Sequence, residues 1–170
     1  MADSLVSSSS LSEIEIVQNP ALGAFAIWRF GLGFQSEDSR PASFLLTFLV
    51  LPLVLHRPTL AIINSTQRAS GLALFAAKLG QERENLLAVH ERALALRRLT
   101  LQSIAMGTAQ RLLTLDYAAT TIRANSPESS VRKPVLPERI KGFSGAPEKV
   151  GYWFSKLGLH QITSTLAVEF

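Results

Sequence analysis

Five arginines in the second half of the chain are its strongest candidates for binding a ligand: Arg92, Arg97, Arg98, Arg111 and Arg123. They lie in or just after a predicted long helix and on a hairpin that follows it. A helix in a groove with an adjoining hairpin on the phosphates is one way in which proteins hold duplex DNA. Glutamates such as Glu91 can pair with the same arginines, and a charged helix face is usually only solvated. The solvated face is therefore the stronger interpretation, and DNA binding is the alternative.

Signals for catalysis and for metal binding are weak. His56, His90 and His160 are far apart, with no H-E-x-x-H and no acidic residues arranged around them. The sequence has no G-x-x-x-x-G-K-[ST] phosphate loop, and "GFSGA" at 142–146 lacks the G-x-S-x-G spacing. Without cysteine, neither a disulfide nor a thiolate nucleophile can form. We therefore expect a chain that is not an enzyme and that holds no cofactor or metal.

The two tryptophans, Trp28 and Trp153, are the candidates for contact with a partner protein. Tryptophan buries a large area and is enriched at binding hot spots, and ordinary core packing is the alternative for both residues. Other residues supply the inward stripe of the helix around Trp28: Leu22, Phe25, Ala26 and Phe30. The ring of Trp28 should then face outward, so that Trp28→Ala breaks assembly, whereas Trp153→Ala lowers the melting temperature. With Phe154, His56 and Arg57, these tryptophans form the predicted partner interface.

Composition favours a subunit over a free monomer. A chain of 170 residues suggests one domain that can bury a real core. Hydrophobic residues make up 47% and charged residues 18%, an apolar balance that leaves surface for a partner. The first sixteen residues lack the basic and apolar regions of a secretory signal. The absence of cysteine makes the reducing cytoplasm the simplest location, and the net charge of +4 permits an acidic partner.

The most apolar stretch, Phe44 to Pro58, has twelve uncharged residues before His56. A membrane-spanning helix needs roughly 20 apolar residues, and runs of about 10 to 14 are more often buried in a core. Charged residues on both sides prevent any extension into lipid. The stretch is therefore predicted to be a core helix, kinked near Pro52, and no membrane contact is expected.

Periodicity predicts several helices and one hairpin. Asn19 and Pro20 should cap and start a first helix, which ends at Gly31 or Gly33. After the apolar stretch, Ser65 or Thr66 should cap a helix that ends at Gly80. The longest predicted helix runs from 81 to 107. Its stripe of apolar residues shifts around the helix axis before it reaches Leu99. A hairpin should then turn about Asp116.

These elements define four predicted segments: a flexible leader at 1–11, a helical core with the hairpin at 12–125, a proline-rich loop at 126–147, and a closing helix and apolar segment at 148–170. The predicted fold class is mainly α (α+β), a winged-helix-like helical domain with a small β-hairpin.

Three apolar blocks resemble a known family. They are "NPALGAFAIWRF" at 19–30, "FLLTFLVLPLVLHRPT" at 44–59, and "VGYWFSKLG" with a closing "LAV" at 150–168. Together they resemble the middle-component proteins of bacterial three-component ABC-ATPase systems, in particular the Lamassu-type antiphage systems. The serine-rich leader and the proline-rich insert depart from that pattern.

This resemblance implies an accessory subunit rather than an enzyme. Its partners would be an ABC ATPase that resembles structural-maintenance-of-chromosomes (SMC) proteins, an effector subunit such as a nuclease and, through the complex, DNA. The implied function is to bridge or regulate the ATPase and the effector. A DNA-binding regulator of the winged-helix type is the alternative.

Overall fold

A central helix, α1 (Pro20–Phe34), organises the fold in the computed structural model, which describes residues 18–126 and 137–170. The side-chain oxygen of Asn19 accepts hydrogen bonds from the amides of Ala21, at 2.9 Å, and Leu22, at 3.4 Å. Pro20 occupies the first turn, where its missing amide costs nothing. The predicted cap is thus confirmed, although the helix continues past both glycines to Phe34.

The other helices are shorter than α1, and a small sheet lies among them. In chain order, the helices are α2 (Thr47–Val54), α3 (Arg57–Ser65), α4 (Gly71–Leu79), α5 (Arg83–Ala95), α6 (Arg97–Ala109), α7 (Lys141–Ser144), α8 (Ala146–Ser155) and α9 (Leu159–Thr165). The strands are β1 (Ala42–Ser43), β2 (Leu113–Asp116) and β3 (Thr121–Ala124). They form an antiparallel sheet in the order β1-β3-β2. The mainly α (α+β) class and the hairpin are therefore confirmed.

Helices α1 and α8 cross at backbone contact. A Cβ atom added at Gly151 would lie 2.0 Å from the carbonyl oxygen of Phe30, and one added at Gly33 would lie 2.0 Å from that of Glu148. Real Cβ contacts are never this short, so both positions must be glycine for the two helices to approach this closely. The crossing brings Phe154 of α8 edge-on to Phe30, with ring centroids 5.7 Å apart.

The apolar stretch forms part of the core, as predicted. Residues 49–54 of α2 are all buried, after a 3-10 turn at Phe44–Leu46. Pro52 lies inside α2, and the sharp change of direction comes after the helix ends, with 99° between Phe44–Val54 and Arg57–Ser65. Across the described ranges, no single helix has the length and apolar content to span a membrane, and only this bent pair passes that test jointly.

Two further predicted helix boundaries are wrong. The long helix is divided at Leu96, where ψ is 3°, into α5 and α6. Ser65 and Thr66 end α3 rather than cap the next helix, since both hydroxyls donate to the carbonyl of Ile62. Helix α4 begins only at Gly71, whose φ of 78° is a conformation that favours glycine.

The predicted loop at 126–147 is partly wrong. Residues 127–136 and the leader at 1–11 lie outside the described residues. Beyond them, a 3-10 turn at Glu138–Ile140, α7 and the start of α8 occupy the second half of the predicted loop. Pro147 lies in the first turn of α8, where proline favours the start of a helix instead of preventing it.

Candidate functional site

Trp28 is a core residue, so the prediction that its ring faces outward is wrong. Its side chain is only 7% exposed, and its indole Nε1 donates to the carbonyl of Asn125 at 2.8 Å. Because α1 is covered on several sides, a single inward stripe does not account for its buried residues. The indole joins α1 to the end of β3, a contact that local periodicity could not indicate.

Trp153 and Phe154 are also buried in the core. The Trp153 ring stacks on Phe75 at 5.4 Å between centroids, and its Nε1 donates to the carbonyl of Arg68 at 2.8 Å. Phe154 packs against Phe30 of α1. Three of the five residues of the predicted partner interface therefore have core roles. A role in contacting a partner stays a prediction for all five.

Arg92 contacts both helices at the bend between α2 and α3. Its Nε donates to the carbonyl of Pro52 at 3.3 Å, and its Nη2 lies 3.4 Å from the hydroxyl of Thr59. A cation at the C-terminal end of a helix interacts favourably with the carbonyls there. Half-buried Arg92 therefore has a structural role, and the sequence reasoning that grouped it with the exposed arginines missed this role.

His56 also contacts Thr59, with its Nδ1 2.8 Å from the Thr59 hydroxyl. Arg57, the next residue, is exposed at the start of α3. Since Arg92 donates to that hydroxyl, the hydroxyl can donate in turn to a neutral His56. Burial, and secondly the charge of Arg92, lower the pKa of His56 below its ordinary value of 6.5.

This arrangement predicts a loss of stability in mild acid. Because the pKa of His56 is lower in the folded than in the unfolded chain, the unfolded state binds more protons below pH 6.5. The free energy of unfolding should therefore fall as pH drops from about 7.5 to about 5.5. Urea titrations of the wild type and of His56→Gln at both pH values measure the effect. Equal pH dependence in the two proteins would contradict this assignment.

The other candidate arginines do not form one patch. Arg97 and Arg98 are exposed at the start of α6, and Arg111 is exposed just beyond its end. With a rise of 1.5 Å per residue, the two ends are about 20 Å apart. Arg123, on β3, donates from Nη1 to the carbonyl of Ser39 at 2.9 Å. DNA binding by these residues stays a prediction.

Composition predicted some exposed apolar surface, but the sequence reasoning missed which residues form it. Leu101 and Met106 project from α6, and Leu87, Leu159 and Phe170 line an open groove of about 900 Å³. For Leu101 and Met106 the sequence offers one indication, since no acidic residue occurs between Arg92 and Asp116 to balance the arginines there. Within 18–126 and 137–170, no three histidine or acidic side chains are grouped as they would be to hold a metal ion.

These observations define the class of protein: a mainly α (α+β) domain that exposes apolar side chains beside arginines. The chain belongs to the family described as ABC-three component (ABC-3C) system Middle Component 3 (MC3), whose model matches residues 7–170. The resemblance to middle components is therefore confirmed. No curated protein and no solved structure shows a significant match.

Proposed function

We propose that this chain is a non-catalytic accessory subunit of a Lamassu-type antiphage defence complex in the cytoplasm, where it bridges or regulates an SMC-like ABC ATPase and a nuclease-type effector. Membership of the middle-component family carries this proposal, because such a component works with partner subunits. The specific partners are inferred from the sequence blocks that resemble Lamassu-type proteins.

The surface of the domain supports a role in assembly. Several large apolar side chains are exposed, among them Leu94, Leu101 and Met106. Protein interfaces are enriched in Met, Arg and aromatic residues and depleted in Lys, Asp and Glu relative to other surfaces. The stretch 92–115 matches such interfaces in its charged residues alone, because all of them are arginine.

Co-expression tests the proposal directly. The chain is produced with the ATPase and effector of the proposed system and is purified through a tag on the ATPase. We expect the three proteins to elute together on size exclusion. A chain that elutes alone, with the ATPase and effector folded and present, contradicts the proposal.

The second candidate function is DNA binding, favoured by the exposed Arg97, Arg98 and Arg111. Binding through phosphates weakens with salt, with a slope near −0.9 for each phosphate neutralised on duplex DNA. Electrophoretic retardation of duplex DNA by the isolated chain over a salt series measures this slope. Absence of retardation at low salt rules out a free DNA-binding regulator and leaves the accessory-subunit proposal intact.

A further inference from the structure

The outward side of α6 is an uncharged helical surface between arginines. On this helix, the residues that pack inward are Leu99, Thr100, Ser103, Ile104 and Gly107. Leu101, Ala105, Met106 and Ala109 are exposed on the other side together with the uncharged Gln102, and we call these four apolar residues the α6 face. At 100° per residue they span about 140° of the helix surface. Leu101 is 44% exposed and Met106 is 38% exposed, so the α6 face displays large apolar groups to solvent.

Only positive charges border the α6 face along the helix. Arg97 and Arg98 precede it, Arg111 follows it, and the helix itself contains no acidic residue. An exposed helix of a monomer usually carries charges of both signs on its solvent side. The combination of an apolar centre with arginines at both ends is complementary to an apolar helix that has acidic residues near its two ends.

The same charges disfavour pairing of two copies through this surface. Antiparallel packing would place Arg97 and Arg98 of one copy beside Arg111 of the other, and parallel packing would place identical arginines together. Like charges brought together at an interface are unfavourable. The α6 face therefore fits a different chain better than a second copy of this one.

We propose that the α6 face binds one amphipathic helix of a partner subunit, whose apolar side lies along Ala105 and Ala109, between Leu101 and Met106, and whose acidic residues pair with the flanking arginines. This inference rests on the proposed function, because the partner is taken to be the ATPase or the effector of the same system. The small side chains of Ala105 and Ala109 allow the partner helix to approach closely.

A matched pair of variants tests the α6 face. Leu101→Lys places a charge on this face, and Leu74→Lys makes the same change on α4, where Leu74 is 43% exposed. In the three-protein co-expression, Leu101→Lys should lower the recovery of this chain on the tagged partner at least about tenfold. Leu74→Lys should recover as the wild type does. Both variants should melt within a few degrees of the wild type, because both positions are on the surface.

Charge reversal tests the acidic partner. Arg98→Glu combined with Arg111→Glu should also weaken recovery, and raising the salt concentration should weaken the wild-type complex in the same direction. Nuclease digestion before purification should leave the wild-type complex intact. Loss of the complex after digestion would assign the arginines to nucleic acid and would overturn the inference.

The outcomes separate the two proposals. If the wild type recovers neither partner, the proposed function is wrong and the α6 face has no partner of the kind proposed. If the wild type assembles, and Leu101→Lys assembles as well as Leu74→Lys does, the α6 face is not the contact surface and the proposed function stands.

Discussion

Gly151→Ala should be among the most destabilising single substitutions in this chain. The added Cβ atom would lie 2.0 Å from the backbone carbonyl oxygen of Phe30 and 2.8 Å from the amide nitrogen of Phe34. Neither atom belongs to a flexible side chain, so α1 and α8 would have to separate. Overpacking of a core typically costs about 1 to 3 kcal/mol, and a backbone clash between central helices belongs at or above the upper end of that range. Urea unfolding followed by circular dichroism measures the loss.

Gly145→Ala is the matched control. Gly145 lies just before α8, its φ of −88° suits any residue, and a Cβ atom there would meet no other atom within 4 Å. We expect a change of less than about 0.5 kcal/mol. If Gly151→Ala unfolds at the same urea concentration as Gly145→Ala, the two helices are not packed as closely as described.

Elements set by local chemistry were predicted well from the sequence. Asn19 and Pro20 fix the start of α1 because a capping side chain and a restricted φ act within one turn. The hairpin followed from its β-branched residues and from the turn after Asp116, whose carboxylate accepts the amide of Ala119 at 2.9 Å. The burial of α2 followed from the length of its apolar run.

Elements set by tertiary packing were not predicted. Nothing in the residues around Leu96 resembles a helix stop, and only the drift of the stripe before Leu99 indicated a change of direction. Ser103 shows what α6 packs against, since a Cβ atom at Gly23 of α1 would lie 2.0 Å from its hydroxyl oxygen. After the break from α5, α6 packs against Gly23 of α1. The periodicity of apolar residues within one helix does not indicate such a contact with another helix.

The candidate site was predicted only in part, for the same reason. The exposure of Arg97, Arg98 and Arg111 agrees with a charged helix face, whereas Arg92 is half-buried on the carbonyl of Pro52. Residue type alone could not distinguish these arginines. The outward prediction for Trp28 is wrong because a single inward stripe suffices only for a helix covered on one side, whereas α1 is covered on several sides by other elements.

Trp153→Ala should destabilise the fold by about 3 to 5 kcal/mol, the usual range for removing a buried tryptophan. The side chain is 1% exposed, it stacks on Phe75 of α4, and its Nε1 joins α8 to the turn at Arg68–Ser70. Its loss removes packing between two helices and leaves the carbonyl of Arg68 without that donor.

Trp28→Ala should also be strongly destabilising, because it removes both core packing and the hydrogen bond from the indole Nε1 to the carbonyl of Asn125.

Two further variants serve as controls. One separates the packing of the Trp153 ring from its hydrogen bond, and the other measures the effect of losing an exposed aromatic ring. Trp153→Phe keeps a ring against Phe75 and removes only the Nε1 bond and part of the volume, so its cost should lie well below that of Trp153→Ala. Tyr117→Ala, at the hairpin turn, removes a ring that is 84% exposed and should change stability by less than about 0.5 kcal/mol. The contrary outcome would be that Trp28→Ala is as stable as Tyr117→Ala but no longer recovers the partner subunits. Trp28 would then contribute to the interface, and its buried position on α1 would not describe the assembled protein.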